Sequence, residues 1–149
     1  MKRPITLYIL FFLHIFLIVG AFIGGSMMIY EPNGSLLGLE TDRLHRTVFP
    51  NYFIPGILLL LSNGIFPLIA LIGLLFKPNW KKFNVFNIYS NTHWGWTYSL
   101  YTGIIVITWI TVQLLLTAYF WMHAAVIFLA LIILIFTLMP QHIRYYKRY

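Results

Sequence analysis

The side chains that could do chemistry in this chain are few and widely spaced. His14 lies in a first apolar run, and Asn63 sits one turn before Pro67 in a second. Glu31, Glu40, Asp42 and His45 fall together in the polar stretch between those runs. An imidazole inside an apolar run could relay a proton, ligate haem or bind a lipid headgroup, because burying an ionisable group is costly. The plain alternative is a neutral ring hydrogen-bonded across a helix pair. A bis-histidine haem needs a second ring at matching depth, and His93 is the nearest option. Pro67 has no N–H, so it frees the carbonyl of Asn63, and Ser62 and Gly64 flank that amide. Transporters build midplane sites in this way, and Gln113 of a third run could face Asn63, although topology puts Gln113 nearer the outer surface. The plain alternative is a packing kink whose polar groups satisfy one another.

The loop carboxylates with His45 could hold a divalent cation or act as acid and base. Their spacing matches no metal motif, and Arg43 and Arg46 interleave with them as in a solvated, salt-bridged helix face. The chain has no cysteine, which removes thiol nucleophiles, thiolate metal sites and disulfides together. The residues therefore offer no catalytic constellation, and neither a metal nor a cofactor is expected.

The elements that must position these groups are apolar and long. The 149 residues are 60% hydrophobic and 9% charged, outside the range of a soluble domain. They have room for about four spans of about 20 residues and no separate extramembrane domain. The spacing predicts spans over about 5–29, 52–76, 94–118 and 121–140, an outer loop over 30–50 and an inner loop over 77–92. The apolar stretch from Thr97 to Met139 must fold back, and Tyr119–His123 suits the reversal although no Gly or Pro marks it. Lys2 and Arg3 before an apolar run fit the start of a secretion signal. That run is too long for one and no A-x-A site follows, so a retained first span is expected.

Charge sets the orientation. All three acidic residues lie in 30–50, whereas eight of the ten Lys and Arg lie beyond those runs. Basic residues near span ends stay on the cytoplasmic side, so both termini and the 77–92 loop are expected inside a cell membrane. The formal charge of +7 is therefore read as contact with an anionic inner leaflet and not as nucleic-acid binding.

Several local features carry expectations of their own. In the outer loop, Leu36, Leu37, Leu44 and Val48 predict a short amphipathic helix with Ser35 as its N-cap. Asn91 and Thr92 suit the cap of the third span. Trp94, Tyr98 and Tyr101, with Trp96 on another face, read as an aromatic interface belt, and the tail Arg144–Tyr149 as an inner-leaflet anchor. Gly20-x-x-x-Gly24, with Ala21-x-x-x-Gly25 beside it, lets another backbone approach closely, either within the chain or in a homo-oligomer.

Three stretches carry a resemblance: Pro32–Leu39, Phe49-Pro50-Asn51-Tyr52-Phe53-Ile54-Pro55-Gly56, and His93-Trp94-Gly95-Trp96-Thr97-Tyr98-Ser99-Leu100. Together they resemble a group of small four-span prokaryotic integral membrane proteins. The resemblance implies a fold and no activity. The sequence thus predicts an all-α, four-helix transmembrane bundle with both termini cytoplasmic and span two kinked at Pro67. Three function classes remain open. They are a structural, accessory or interaction subunit, a carrier or binder of a small or lipidic molecule, and a membrane haem, redox or enzymatic protein.

Overall fold

The computed structural model describes residues 3–148. Lys2 and Tyr149, which belong to the basic ends read above, lie outside them. Among the described residues every regular element is helical, apart from one isolated antiparallel bridge between Thr92 and Lys147. The helices are α1 (Ile5–Tyr30), α2 (Phe53–Leu59), α3 (Phe66–Phe76), α4 (Trp94–Leu116), α5 (Trp121–Thr137) and α6 (Pro140–Tyr146). A π-turn, Leu60–Ile65, joins α2 to α3 without a break.

Three helical stretches are long and apolar enough to cross a membrane: Ile5–Tyr30, Phe53–Phe76 and Trp94–Leu116. A fourth is present if α5 and α6, bent by 63° from one another, count as one. Helix α1 explains why such a protein suits lipid. Its buried stripe, Leu7, Leu10, Phe11, His14, Leu17, Ile18, Ala21 and Gly25, recurs every three or four residues. The opposite face is also apolar, with Tyr8, Phe12, Phe16, Val19 and Ile23 exposed. A helix that is hydrophobic all round belongs in a core or in a membrane.

Glycines set the closest helix crossings. A Cβ on Gly25 would collide with Leu60 and the carbonyl of Gly56, so α1 and α2 touch backbone to backbone. Gly73 and Gly95 bring α3 and α4 together in the same way. The core runs along α1, α3, α4 and α5 through Leu10, Leu74, Val106, Ala130 and Ile133, and ends on Tyr146 of α6.

Several expectations need correction. The outer loop has no amphipathic helix: it forms two short 3-10 turns, Ser35–Leu37 and Thr41–Leu44. Gly34 and Gly38, at φ +82° and +64°, bracket the first of these, which Gly38 ends after one turn, and Asn33, not Ser35, supplies the side-chain oxygen, accepting the Ser35 N–H at 2.8 Å. The cap of α4 is His93 and not Asn91-Thr92: its ring accepts the N–H of Gly95. The reversal spans 117–120, and α5 ends at Thr137, three residues before the expected limit, because Pro140 starts α6 in a new direction. At the reversal His123 Nδ1 accepts the N–H of Phe120 at 3.2 Å, a helix-start signal in a turn without Gly or Pro.

Candidate functional site

The densest polar construction lies at the end of the bundle where the chain begins and ends. It grows from a local necessity: the last four carbonyls of a helix have no donor within it. In α3, Gly73 accepts the N–H of Lys77, at φ +48° the one non-glycine residue in the left-handed region among those described. Leu74 accepts the hydroxyl of Tyr146 at 2.6 Å. Leu75 accepts the guanidinium of Arg3 at 2.7 Å. Thus residues from both ends of the chain complete one helix terminus.

Lys77 then turns across α6. Its ammonium donates to the Tyr145 carbonyl at 2.9 Å and sits 3.4 Å from the centre of the Tyr145 ring and 4.6 Å from that of Tyr146. These are cation–π distances. Partial burial lowers the pKa of this amine, and the hydroxyl of Tyr145 opposes that shift.

Two histidines are held here, and the partners of His93, which can act in only one sense, fix it as one neutral tautomer. His93 Nδ1 accepts from Gly95 N–H at 3.1 Å, so the proton is on Nε2, which donates to the Pro78 carbonyl at 3.1 Å. Trp94 Nε1 donates to the same carbonyl at 3.0 Å. Burial lowers the pKa of His93, the Pro78 bond opposes this, and the charges of Arg148 and Lys77 lower it further. His142 Nδ1 donates to the Phe136 carbonyl, and its Nε2 pairs with the Thr6 hydroxyl at 2.9 Å. The Thr6 oxygen in turn accepts from Gln141 at 2.6 Å. Main-chain bonds close the knot: His93 N–H to the Tyr146 carbonyl at 2.9 Å and Arg148 N–H to that of Asn91 at 2.8 Å. One turn deeper, Thr137 accepts from Trp96 Nε1 at 2.8 Å, and its hydroxyl pairs with Ser99 at 2.7 Å.

Of the α4 residues expected as an interface belt, Tyr101 alone is partly exposed. Trp94, Trp96 and Tyr98 are buried. Trp94 stacks on Phe83 at 4.9 Å and on Trp80 at 5.9 Å, and Tyr98 stacks on Phe66 at 5.4 Å. In the tail α6 packs back and Tyr146 is buried, while Arg144, Lys147 and Arg148 stay exposed.

Of the residues singled out by sequence, His14 is fully buried. Its Nδ1 donates to the Leu10 carbonyl at 2.9 Å, and Nε2 has no partner among the described residues. His93 cannot join it as an open ligand, because both of its ring nitrogens are engaged. Asn63 and Pro67 are also buried, Asn63 within the π-turn and Pro67 in the first turn of α3. Such turns recur at functional sites. Ser62 Oγ donates to the Leu58 carbonyl at 2.7 Å and lies 3.0 Å from Asn63 Oδ1. Gln113 is not brought to Asn63. The Phe66–Tyr98 stack fixes the antiparallel register of α3 and α4, and Gln113 lies about three turns beyond the level of Asn63.

Gly25 and Ala21 are spent on the internal contact, a Cβ on Gly24 would lie 3.6 Å from Leu59, and one on exposed Gly20 would have nothing within 4 Å. In the outer loop Glu40 and Asp42 line a shallow depression with Asn33, Ser35, Gly38, Leu39 and Thr41. Glu31 accepts from Asn33 at 3.0 Å, and His45 Nδ1 bonds the Asp42 carbonyl at 2.6 Å. Among the described residues no group of three or more His, Asp or Glu is arranged to hold a metal ion. Arg43 leaves the expected salt-bridged face. It donates to the Tyr119 carbonyl at 3.3 Å and lies over the Phe120 ring, which ties the loop to the α4–α5 reversal.

No family model matches this chain, and neither a curated protein nor a solved structure matches it.

Proposed function

We propose that the chain is a four-span integral membrane protein with both termini cytoplasmic and span two deflected beside Pro67, acting as a structural or accessory subunit that packs against other spans. The observation that carries this reading is Gly20. It opens a notch on the outward apolar face of α1 between exposed Val19 and Ile23, while its small neighbours Ala21 and Gly25 are consumed inside the bundle. A notch of this kind admits a second helix backbone. The polar knot at the terminal end supports the same reading, because it spends its hydrogen-bonding groups on holding helices together. The orientation rests on charge alone: Glu31, Glu40 and Asp42 at one end, and Arg3, Lys77, Lys81, Lys82, Arg144, Lys147 and Arg148 at the other.

Native mass spectrometry of protein purified in mild detergent tests the accessory role. A fixed oligomer or stoichiometric partner is expected, and Gly20→Leu should dissociate it while leaving the fold intact. A chain that stays alone, or an assembly indifferent to Gly20→Leu, overturns the reading. A reporter active only outside the cytoplasm should work when inserted within 35–47 and stay silent at the C-terminal end.

A second reading, a carrier of a small or lipidic molecule, is favoured by the π-turn with buried Asn63 and by the unpartnered Nε2 of His14. On that reading Asn63→Leu removes a co-purifying small molecule or lipid without unfolding the protein.

A further inference from the structure

The segment joining α3 to α4 exposes large apolar side chains although it lies outside the long helices. Val85, Phe86 and Ile88 are 77%, 69% and 73% exposed, and Trp80 and Tyr89 flank them half-exposed. Tethers to the first turns of α4 and to the residues just before it hold them there. Tyr98 donates its hydroxyl to the Phe83 carbonyl at 3.1 Å, Tyr101 to that of Phe86 at 3.0 Å, and Asn87 Nδ2 to that of Thr92 at 2.9 Å. Phe83 is pinned beneath Trp94. The apolar side chains are therefore presented outward by a braced backbone.

Two cations share this segment. Lys81 and Lys82 are exposed on a short 3-10 turn. Every Asp and Glu of the chain lies in 31–42, at the opposite end of the bundle, so no side-chain carboxylate neutralises them. Exposed apolar anchors beside unneutralised cations, flanked by Trp and Tyr, complement an anionic lipid leaflet.

We propose that residues 80–89 form an interfacial loop that sinks Val85, Phe86 and Ile88 among acyl chains and holds the phosphate of an anionic phospholipid with Lys81 and Lys82. The inference rests on the membrane reading above but on neither its orientation nor its accessory role. Because the chain lacks cysteine, single-cysteine variants carry one fluorophore each. Phe86→Cys and Ile88→Cys are labelled in vesicles of phosphatidylglycerol and phosphatidylcholine, with Phe16→Cys on the outward face of α1 as the reporter of membrane insertion itself.

Positions 86 and 88 should be quenched by spin-labelled lipid and shielded from a water-soluble quencher. Aqueous quenching there, with Phe16→Cys still quenched by lipid, overturns the loop inference and leaves the membrane reading standing. Shielding from both quenchers means that protein covers the loop, which also overturns it. Lys81→Gln with Lys82→Gln should lower retention of phosphatidylglycerol relative to phosphatidylcholine by about fivefold per lysine in native mass spectrometry. Arg at both positions should restore it. Equal retention in all three proteins refutes the headgroup contact.

Discussion

Replacing Tyr146 by Phe removes one oxygen and tests whether α6 caps α3. The hydroxyl donates to the Leu74 carbonyl at 2.6 Å, and Tyr146 and Leu74 are 1% and 0% exposed. Leu74 lies in the last turn of α3, where no intrahelical donor is available. The variant ring still fills the site, so little packing is lost, but the carbonyl is left unpaired away from water. The expected cost is about 1–3 kcal/mol, towards the upper value in a dry surrounding. At about 2–4 °C per kcal/mol for a chain of this size, thermal unfolding in mild detergent should move down measurably. Tyr145→Phe is the matched control. It removes a hydroxyl bonded to Arg3 at 3.4 Å in an exposed setting and should stay within about 0.5 kcal/mol of the parent. Trypsin should also cut after Arg144 and Lys147 faster in Tyr146→Phe than in the control. If the two variants melt together and are cut alike, the hydroxyl does not hold α6 to α3 and the capping argument fails.

Two further outcomes follow from the same geometry. Gly95→Ala would drive its Cβ into the main chain of Gly73, so it should cost about 1–3 kcal/mol or more by overpacking, whereas Gly20→Ala should be silent in the same melting assay. His93 should make the terminal end sensitive to acid. Burial sets its pKa below the ordinary imidazole value of 6.5, so the unfolded chain takes up the proton first. Its contribution is complete above 6.5 and is lost as pH falls below that value through the lowered folded pKa. His93→Asn, which keeps a capping oxygen and cannot titrate, should flatten this fall in hydrogen exchange at Gly95.

How far the fold was legible varies from element to element. The helical stretches 5–30, 53–76 and 94–116 follow from apolar run length, since a helix apolar on every face has few places to exist. The reversal between Leu116 and Trp121 was legible to within a few residues, because one apolar helix from Thr97 to Met139 would be about twice as long as a bilayer is thick. The outer loop was misread. The spacing of Leu36, Leu37 and Leu44 is helical, but Gly38 adopts positive φ and cuts the helix after one turn.

The polar knot was not legible. His93 and His142 were visible as residues, yet their bonds to Pro78, Phe136 and Thr6 cross 15, 6 and 136 positions. No periodicity encodes such pairs. Similarly, Trp94, Tyr98 and Tyr101 have the composition of an interface belt, and only the return of Trp80–Phe86 over α4 makes them a stacked core. The sequence alone determined which stretches form apolar helices and where the charges fall, because run length and charge are properties of consecutive residues. The tertiary structure alone decided that Arg3, Lys77, His93, His142 and Tyr146 meet, because helix ends far apart along the chain complete one another's hydrogen bonds only once the bundle has closed.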